Sequence, residues 1–97
     1  MLHLYVARRY PCTAEGVPTG FGEAIGMYTT HDLVVNQLLI WSNAIYRGEW
    51  KDATYISWHD EDETSETSFM YKKGDKYYTI SVELEIAKES DDELDRK

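Results

Sequence analysis

The strictest pattern in this chain is the alternation of two kinds of residue between positions 76 and 86. One set of alternate positions is apolar or aromatic: Tyr78, Ile80, Val82, Leu84 and Ile86. The other set is mainly polar: Tyr77, Thr79, Ser81, Glu83 and Glu85. A two-residue period with one packed face and one wet face is typical of a strand in an antiparallel sheet. We therefore predict that residues 76–86 form the longest strand, paired with residues 67–73 through the turn at Gly74.

A second pattern, of helical period, covers residues 30–47. Apolar side chains recur at i, i+4, i+7 and i+11, which places them on one buried stripe: Val34, Leu38, Trp41 and Ile45. Three further side chains are expected to widen the stripe: Val35, Leu39 and Tyr46. Thr29 or Thr30 can cap the start of the helix, and Gly48 fits its end. The opposite face is mainly polar, and Leu33 and Ile40 are predicted to lie there.

Shorter patterns predict the remaining strands. The first residues alternate as in a strand that is closed by Pro11, and a glycine-rich loop then leads to a short extended segment at 24–28. Two more alternating segments follow the helix, at 54–59 and at 67–73. The predicted order is therefore β-β-α-β-β-β.

This order predicts an α+β domain with a mainly antiparallel sheet and one main helix packed on one face. The length of 97 residues fits a single domain, residues 1–97. Residues 88–97 (KESDDELDRK) are too polar to pack, and we expect an acidic, frayed tail there.

The single cysteine, Cys12, indicates the type of cellular compartment in which the protein works. No intrachain disulfide can form, and a reducing environment is the natural expectation. The opening residues MLHLYVARRY lack the pattern of a secretory signal, and the longest apolar stretch, near 33–41, is too short to span a bilayer. We expect a soluble protein of the cytoplasm.

Charge is the most informative global property, because the net charge of −8 is unevenly placed. Residues 1–58 hold five acids and four bases, whereas residues 59–97 hold thirteen acids and six bases. Such an asymmetry argues against direct binding to nucleic acid or to an anionic membrane. It favours a basic protein partner, or a role of the charge in solubility alone.

The residues that could carry a cofactor or a metal ion do not match the patterns these groups require. The glycines between Gly20 and Gly26 have the wrong spacing for a dinucleotide fingerprint and do not open a helix. In a calcium loop starting at Asp60, the sixth and twelfth positions would be Ser65 and Tyr71 instead of a glycine and a bidentate acid. A zinc site would need further ligands close to His59 in sequence. We predict no cofactor and no metal.

Catalytic residues are also not indicated. Cys12 has no nucleophile signature around it, and the carboxylates lie in polar company, where nothing drives the pKa values of an acid–base pair apart. We predict that the protein is not an enzyme.

The acidic segment of residues 58–67 (WHDEDETSET) is the main candidate for a working surface. In an extended chain, alternate carboxylates lie about 6.6 Å apart on one side, a spacing comparable to that of successive phosphates on a nucleic-acid strand. The outward row on the last strand repeats this spacing. The candidate partner-binding residues are Asp60, Glu61, Asp62, Glu63, Glu66, Glu83, Glu85 and Tyr77. The alternative for this segment is a solvated hairpin loop whose charges protect a sheet edge.

A short acidic chain with an aromatic-rich α+β core resembles the phage-encoded inhibitors of bacterial defence systems. More narrowly, it resembles the nucleic-acid-mimicking anti-CRISPR proteins, and among these most of all inhibitors of the type I-F (Csy) surveillance complex. The resemblance lies in length, charge and layout over the whole chain and involves no residue motif, so no contact residues are carried over. It implies a non-catalytic protein that fills a basic DNA-binding groove and blocks target DNA.

Two other classes of function stay open. The first is a small adaptor or accessory subunit that binds its partner mainly through apolar and aromatic side chains, including Leu33 and Ile40. Charge-driven binding weakens steeply with ionic strength and apolar binding does not, which separates this class from mimicry. The second is an enzyme, which would show a pocket with strongly shifted titratable groups.

Overall fold

The computed structural model describes residues 2–61 and 66–87 of the chain. Within them the element order is β-β-α-β-β-β, as predicted. The elements are β1 (Leu2–Cys12), β2 (Glu23–Tyr28), α1 (His31–Tyr46), β3 (Ala53–Glu61), β4 (Glu66–Lys73) and β5 (Lys76–Ala87). The prediction of an α+β fold is confirmed.

All five strands form one sheet in the order β2-β1-β5-β4-β3, and every neighbouring pair is antiparallel. The central strand β5 is the longest, and it pairs with β4 as predicted. On its other side it pairs with β1 along the full length of that strand, from Leu2↔Ala87 to Cys12↔Tyr77. The strand predicted to carry acidic residues therefore lies in the middle of the sheet.

The helix α1 begins and ends where its signals predict. The hydroxyl of Thr30 accepts a hydrogen bond from the backbone N–H of Leu33 at 3.2 Å, which is an N-cap. Beyond the C-terminus, Gly48 takes a φ of +82°, a conformation that glycine adopts without strain.

The predicted stripe of α1 faces the sheet. Val34, Leu38 and Ile45 are fully or almost fully buried, and Trp41 packs against the same cluster. Their main partners on the sheet are Ala7, Phe69, Tyr71, Ile80 and Val82. Val35 also packs there. The expectation that Leu39 and Tyr46 widen the buried stripe was wrong, because both side chains are exposed and line an open groove between α1 and the edge strand β3.

The helix crosses the sheet diagonally. Near its start, His31 contacts Tyr5 of β1, with ring centroids 5.5 Å apart, and at its end Tyr46 contacts Tyr55 of β3 at 6.1 Å. A strand as long as β5 extends ~40 Å, so a crossing helix covers only its middle. Leu84, predicted on the packed face, is for this reason 53% exposed.

The strand β1 continues past the point where Pro11 was expected to close it. Pro11 pairs with Tyr78, and its carbonyl accepts a hydrogen bond from the backbone N–H of Thr19 at 2.8 Å. Because the pairing of β2 with β1 covers only Tyr5 to Arg9, Pro11 lies where β1 has become an edge strand. Proline is tolerated there because no neighbouring strand needs its missing N–H.

The face of the sheet opposite the helix is here called the open face. Part of it is covered by the loop of residues 13–22, which turns back so that Pro18 bridges to Cys12. The loop lies over Met70, and both Cys12 and Met70 are buried beneath it. The remainder of the open face is the surface on which the β5 carboxylates stand.

Candidate acidic interface

The open face is polar wherever the loop does not cover it. Two adjoining grooves of about 400 and 370 Å³ run across it and share His59, Ser68 and Thr79 in their walls. Cross-strand pairing explains this composition, since Ser68 is the partner of both His59 and Ser81. Hydroxyl and imidazole groups therefore form a continuous surface capable of hydrogen bonding, and Glu83 stands at its end.

Glu83 and Glu85 occupy alternate positions on β5, as predicted, but the structure gives them protein partners. Arg8 on β1 lies between them, with Nη2 2.6 Å from Oε2 of Glu85 and Nε 3.3 Å from Oε1 of Glu83. The hydroxyl of Tyr10 donates a further hydrogen bond to Glu83. The two carboxylates are thus held in fixed positions, and one guanidinium offsets part of their charge.

These contacts shift the pKa values of the groups that bind the carboxylates. The hydrogen bond to Glu85 raises the pKa of Arg8 above its ordinary value, although burial acts in the opposite direction. Burial, reinforced by the hydrogen bond to the Glu83 carboxylate, raises the pKa of Tyr10 to about 12. Arg8 and Tyr10 therefore stay protonated and can donate hydrogen bonds to the two carboxylates.

Asp60 lies on the other face of the sheet. It pairs with Thr67, two positions beyond the Trp58–Phe69 pair and therefore on the same face, and the stacked rings of that pair belong to the helix side. The buried hydroxyl of Thr67 donates to Oδ1 of Asp60 at 3.1 Å, and Asp60 itself is exposed. Asp60 therefore does not belong to the same face as Glu83 and Glu85.

The register nevertheless gathers the candidate acids at one end of the sheet. Glu61 and Glu66 are paired positions at the ends of β3 and β4, next to the Asp60–Thr67 pair. Ser68 pairs with Ser81 across β4 and β5. Because the strands are antiparallel, continuing that register places Glu66 level with Glu83. Asp62 and Glu63 lie outside the described residues.

The opposite end of the sheet carries the bases. The β4–β5 turn is flanked by the paired residues Lys73 and Lys76. Lys73 also pairs with Ala53, at the start of β3. Four lysines belong to this end: Lys51, Lys72, Lys73 and Lys76. The asymmetry in the sequence thus becomes a partial separation of charge along the strands, with five acids and Arg8 at one end, and four lysines together with Asp52 and Asp75 at the other.

Tyr77 stands apart from the candidate acids. It occupies the lysine end of β5, six positions before Glu83, which corresponds to ~20 Å along a strand. The ammonium group of Lys72 lies 5.6 Å from the centroid of its ring, a cation–π contact. The structure does not bring Tyr77 together with the acidic candidates.

Arg8 and Tyr10 are the site residues that the sequence analysis missed. Both lie at every second position of β1, between Val6 and Cys12, and face the open side with them. The available signal was an arginine inside a strand that could pair with a row of glutamates on another strand. Using it requires knowing that β1 and β5 are neighbours.

Cys12 packs inside the fold, against the neighbouring strand β5. Its side chain is buried, and Sγ lies 3.3 Å from Oγ1 of Thr79. Within residues 2–61 and 66–87, no three side chains of His, Cys, Asp or Glu converge as a metal site would require.

Comparisons of the chain with protein-family models, with curated protein sequences and with solved structures find no match. Among the residues that the structure describes, no helix has the length and apolar character needed to cross a membrane.

Proposed function

We propose that this protein is a non-catalytic binding protein that presents the acidic end of its sheet to a basic, nucleic-acid-binding groove of a partner protein. In the narrower form of the proposal, the partner is a type I-F CRISPR surveillance complex in a bacterial cytoplasm. Occupying the groove would then block target DNA. The protein itself binds neither nucleic acid nor a membrane directly.

The separation of charge along the strands is the observation that carries the proposal. A groove that binds DNA gains its affinity from Lys and Arg side chains placed near phosphates. Carboxylates at one end of a sheet can bind the same cations, and folding has already ordered the strands that hold them. The opposite fields of the two surfaces would also speed their encounter.

Arg8 and Tyr10 add to this argument. They hold Glu83 and Glu85 at 37% and 44% exposure of the side chain, so both carboxylates are fixed and still accessible. A fixed carboxylate loses less rotamer entropy on binding than a free one. The hydroxyl-lined grooves beside them supply hydrogen bonds that charge alone does not.

Competition for one basic site is the test. The purified type I-F complex is incubated with labelled target DNA and increasing amounts of this protein at two salt concentrations. Reversing Asp60 and Asp62 to lysine should weaken inhibition about a hundredfold or more, because like charges facing each other at an interface cost several kcal/mol. Glu83 is left intact, since its reversal would set a lysine against Arg8 and disturb the fold.

The matched control reverses two acids away from the acidic end, Glu49 and Asp75. Glu49 pairs with Arg47, but this pair is exposed and local and contributes little to stability, so the control should fold and inhibit like the wild-type protein. Thermal melts show whether each variant folds. Simultaneous binding of the protein and DNA to the complex, or equal inhibition by both double variants, would refute mimicry.

A second candidate function rests on a separate observation, an apolar groove of about 320 Å³ between the end of α1 and the edge strand β3. Its walls include Leu39, Tyr46, Tyr55 and Trp58. An adaptor that binds through apolar contacts would use this groove, and the acids would then serve solubility. In that case Leu39→Asp would abolish partner binding, and the affinity of the wild-type protein would change little with salt.

A further inference from the structure

A small pocket at the lysine end of the sheet concentrates positive charge in an otherwise acidic protein. It measures about 200 Å³ and lies on the helix side, against Trp50. Arg9, Lys51 and Lys73 contribute to its walls, together with Tyr71. The chain holds ten Lys and Arg residues in total, so three of them at one small cavity call for a physical reason.

The three basic residues come from separate parts of the fold. Arg9 lies on β1, Lys51 lies in the connection before β3, and Lys73 ends β4 next to its partner Ala53. Neither lysine forms an ion pair with any acid among the described residues. Within residues 2–61 and 66–87, no carboxylate therefore offsets the charge of either lysine at close range.

Arg9 is held in place by two contacts. Its Nη2 binds Oε1 of Glu23 at 2.6 Å, and its guanidinium lies 5.6 Å from the ring centroid of Tyr78. Glu23 uses part of this guanidinium, but an arginine has five N–H donors in a rigid fork. Arg9 is thus a fixed cation with donors beyond the one that Glu23 occupies.

The remaining wall is rigid and aromatic. The indole of Trp50 meets the ring of Tyr71 edge to face, with centroids 5.7 Å apart and planes at 89°. Tyr71 is fully buried and belongs to the hydrophobic core. The pocket therefore has a fixed base, and two exposed lysines, Lys51 and Lys73, contribute to its walls.

We propose that this pocket is an oxyanion site that takes a phosphate group, presented by a small phosphate monoester or by free phosphate. Phosphate carries close to two negative charges at neutral pH and several acceptor oxygens that point in different directions. Cations from three separate parts of the fold can each meet a different oxygen of this group, whereas a planar carboxylate offers only two oxygens. A volume of 200 Å³ corresponds to roughly six or seven waters, enough for a phosphate group with its first attached atoms.

The site goes beyond the proposed function. It lies at the end of the sheet opposite the acidic residues and uses none of them. Binding of phosphate here can be tested without any protein partner.

The indole N–H signal of Trp50 in a ¹H–¹⁵N spectrum, assigned with Trp50→Phe, is the direct probe. Inorganic phosphate, adenosine monophosphate, adenosine and sodium chloride are titrated separately at constant ionic strength. We expect saturable shifts of the Trp50 signal with phosphate and with adenosine monophosphate, and none with adenosine or chloride. Equal shifts with phosphate and chloride, or binding of adenosine as tight as that of its monophosphate, would overturn the proposal.

Variants locate the site. Lys51→Gln combined with Lys73→Gln should weaken phosphate binding at least about tenfold, since each substitution removes a charged partner of the anion. The matched control, Arg47→Gln combined with Lys72→Gln, removes the same charge elsewhere and should bind as the wild-type protein does. Equal weakening in both double variants would show a general charge effect and refute the site. If the double lysine variant fails to fold, the titrations of the wild-type protein still test whether the pocket binds phosphate.

Discussion

Arg8 of β1 and Glu85 of β5 are joined by two hydrogen bonds although 77 positions separate them in the chain. Nη2 and Nε of the arginine donate to the same carboxylate oxygen, at 2.6 and 3.1 Å. The same Nε also lies 3.3 Å from Oε1 of Glu83. One cation therefore ties the first strand to the last and offsets the repulsion between two carboxylates.

The first prediction follows from this arrangement. Arg8→Met should lower the melting temperature, because Glu83 and Glu85 would then face each other without a cation. The loss should shrink in 1 M salt, where the Debye length falls to about 3 Å. Melts of both proteins at low and high salt provide the measurement.

Arg47→Met is the control for this prediction. It removes the exposed pair of Arg47 with Glu49, two residues apart, which also lowers the pKa of Glu49. Exposed local pairs contribute little to stability, so this melting temperature should stay close to that of the wild-type protein. An equal loss in both variants would show that Arg8 has no special role.

The second prediction concerns the titration of Tyr10. An ordinary tyrosine has a pKa of about 10, whereas that of Tyr10 is raised to about 12. A raised pKa favours the protonated form in the folded state. Its contribution to stability is therefore fully present below pH 10 and is lost between about pH 10 and 12.

Selective ¹³C labelling of tyrosine ring carbons measures this directly. At pH 11 the Tyr10 signal, assigned with Tyr10→Phe, should remain at its protonated shift. The phenylalanine variant should also lose less stability than the wild-type protein over this alkaline range. A midpoint near pH 10 for Tyr10 would contradict the contact with Glu83.

The third prediction tests how the loop meets the open face. A Cβ added to Gly22 would overlap the ring of Tyr10. Since that ring is held by Glu83, Gly22→Ala should cost about 1–3 kcal/mol, the usual range for overpacking. Urea denaturation of the variant measures the loss.

A double variant shows whether the ring causes this cost. In a Tyr10→Ala background the space is open, so Gly22→Ala should cost much less there. An unchanged cost would mean that the loop backbone, and not the Tyr10 ring, opposes a side chain at position 22.

The elements of the fold could be predicted because their signals are local. The stripe of Val34, Leu38 and Ile45 repeats with the period of one helix, and the alternation around Ile80 and Val82 repeats with that of one strand. The same period correctly separated the row of Glu83 and Glu85 from the packed face of β5. None of these inferences depends on which strands are neighbours.

The arrangement of the strands could not be predicted in the same way. Placing β1 between β2 and β5 depends on contacts between the two ends of the chain, and no single segment contains that information. The partners of Glu83 and Glu85 were missed for this reason, and so was the pocket formed by Arg9, Lys51 and Lys73. The exposure of Leu39 was also misjudged, because it depends on the open groove between the helix and the edge strand β3, which the sequence does not reveal.

The last prediction distinguishes the buried side of α1 from its exposed side. Leu38 is fully buried in the core, whereas Ile40, two residues later, is 58% exposed. Leu38→Ala should cost about 2–5 kcal/mol, because it removes buried methyl groups and leaves a cavity that the surrounding core only partly fills. A domain of this size has a total stability of about 5–15 kcal/mol, so the variant should lose a substantial part of it. Ile40→Ala should change the free energy of unfolding by no more than about 0.5 kcal/mol. Urea denaturation followed by circular dichroism measures both values, and a large loss at Ile40 would contradict the exposure of this side chain in the structure.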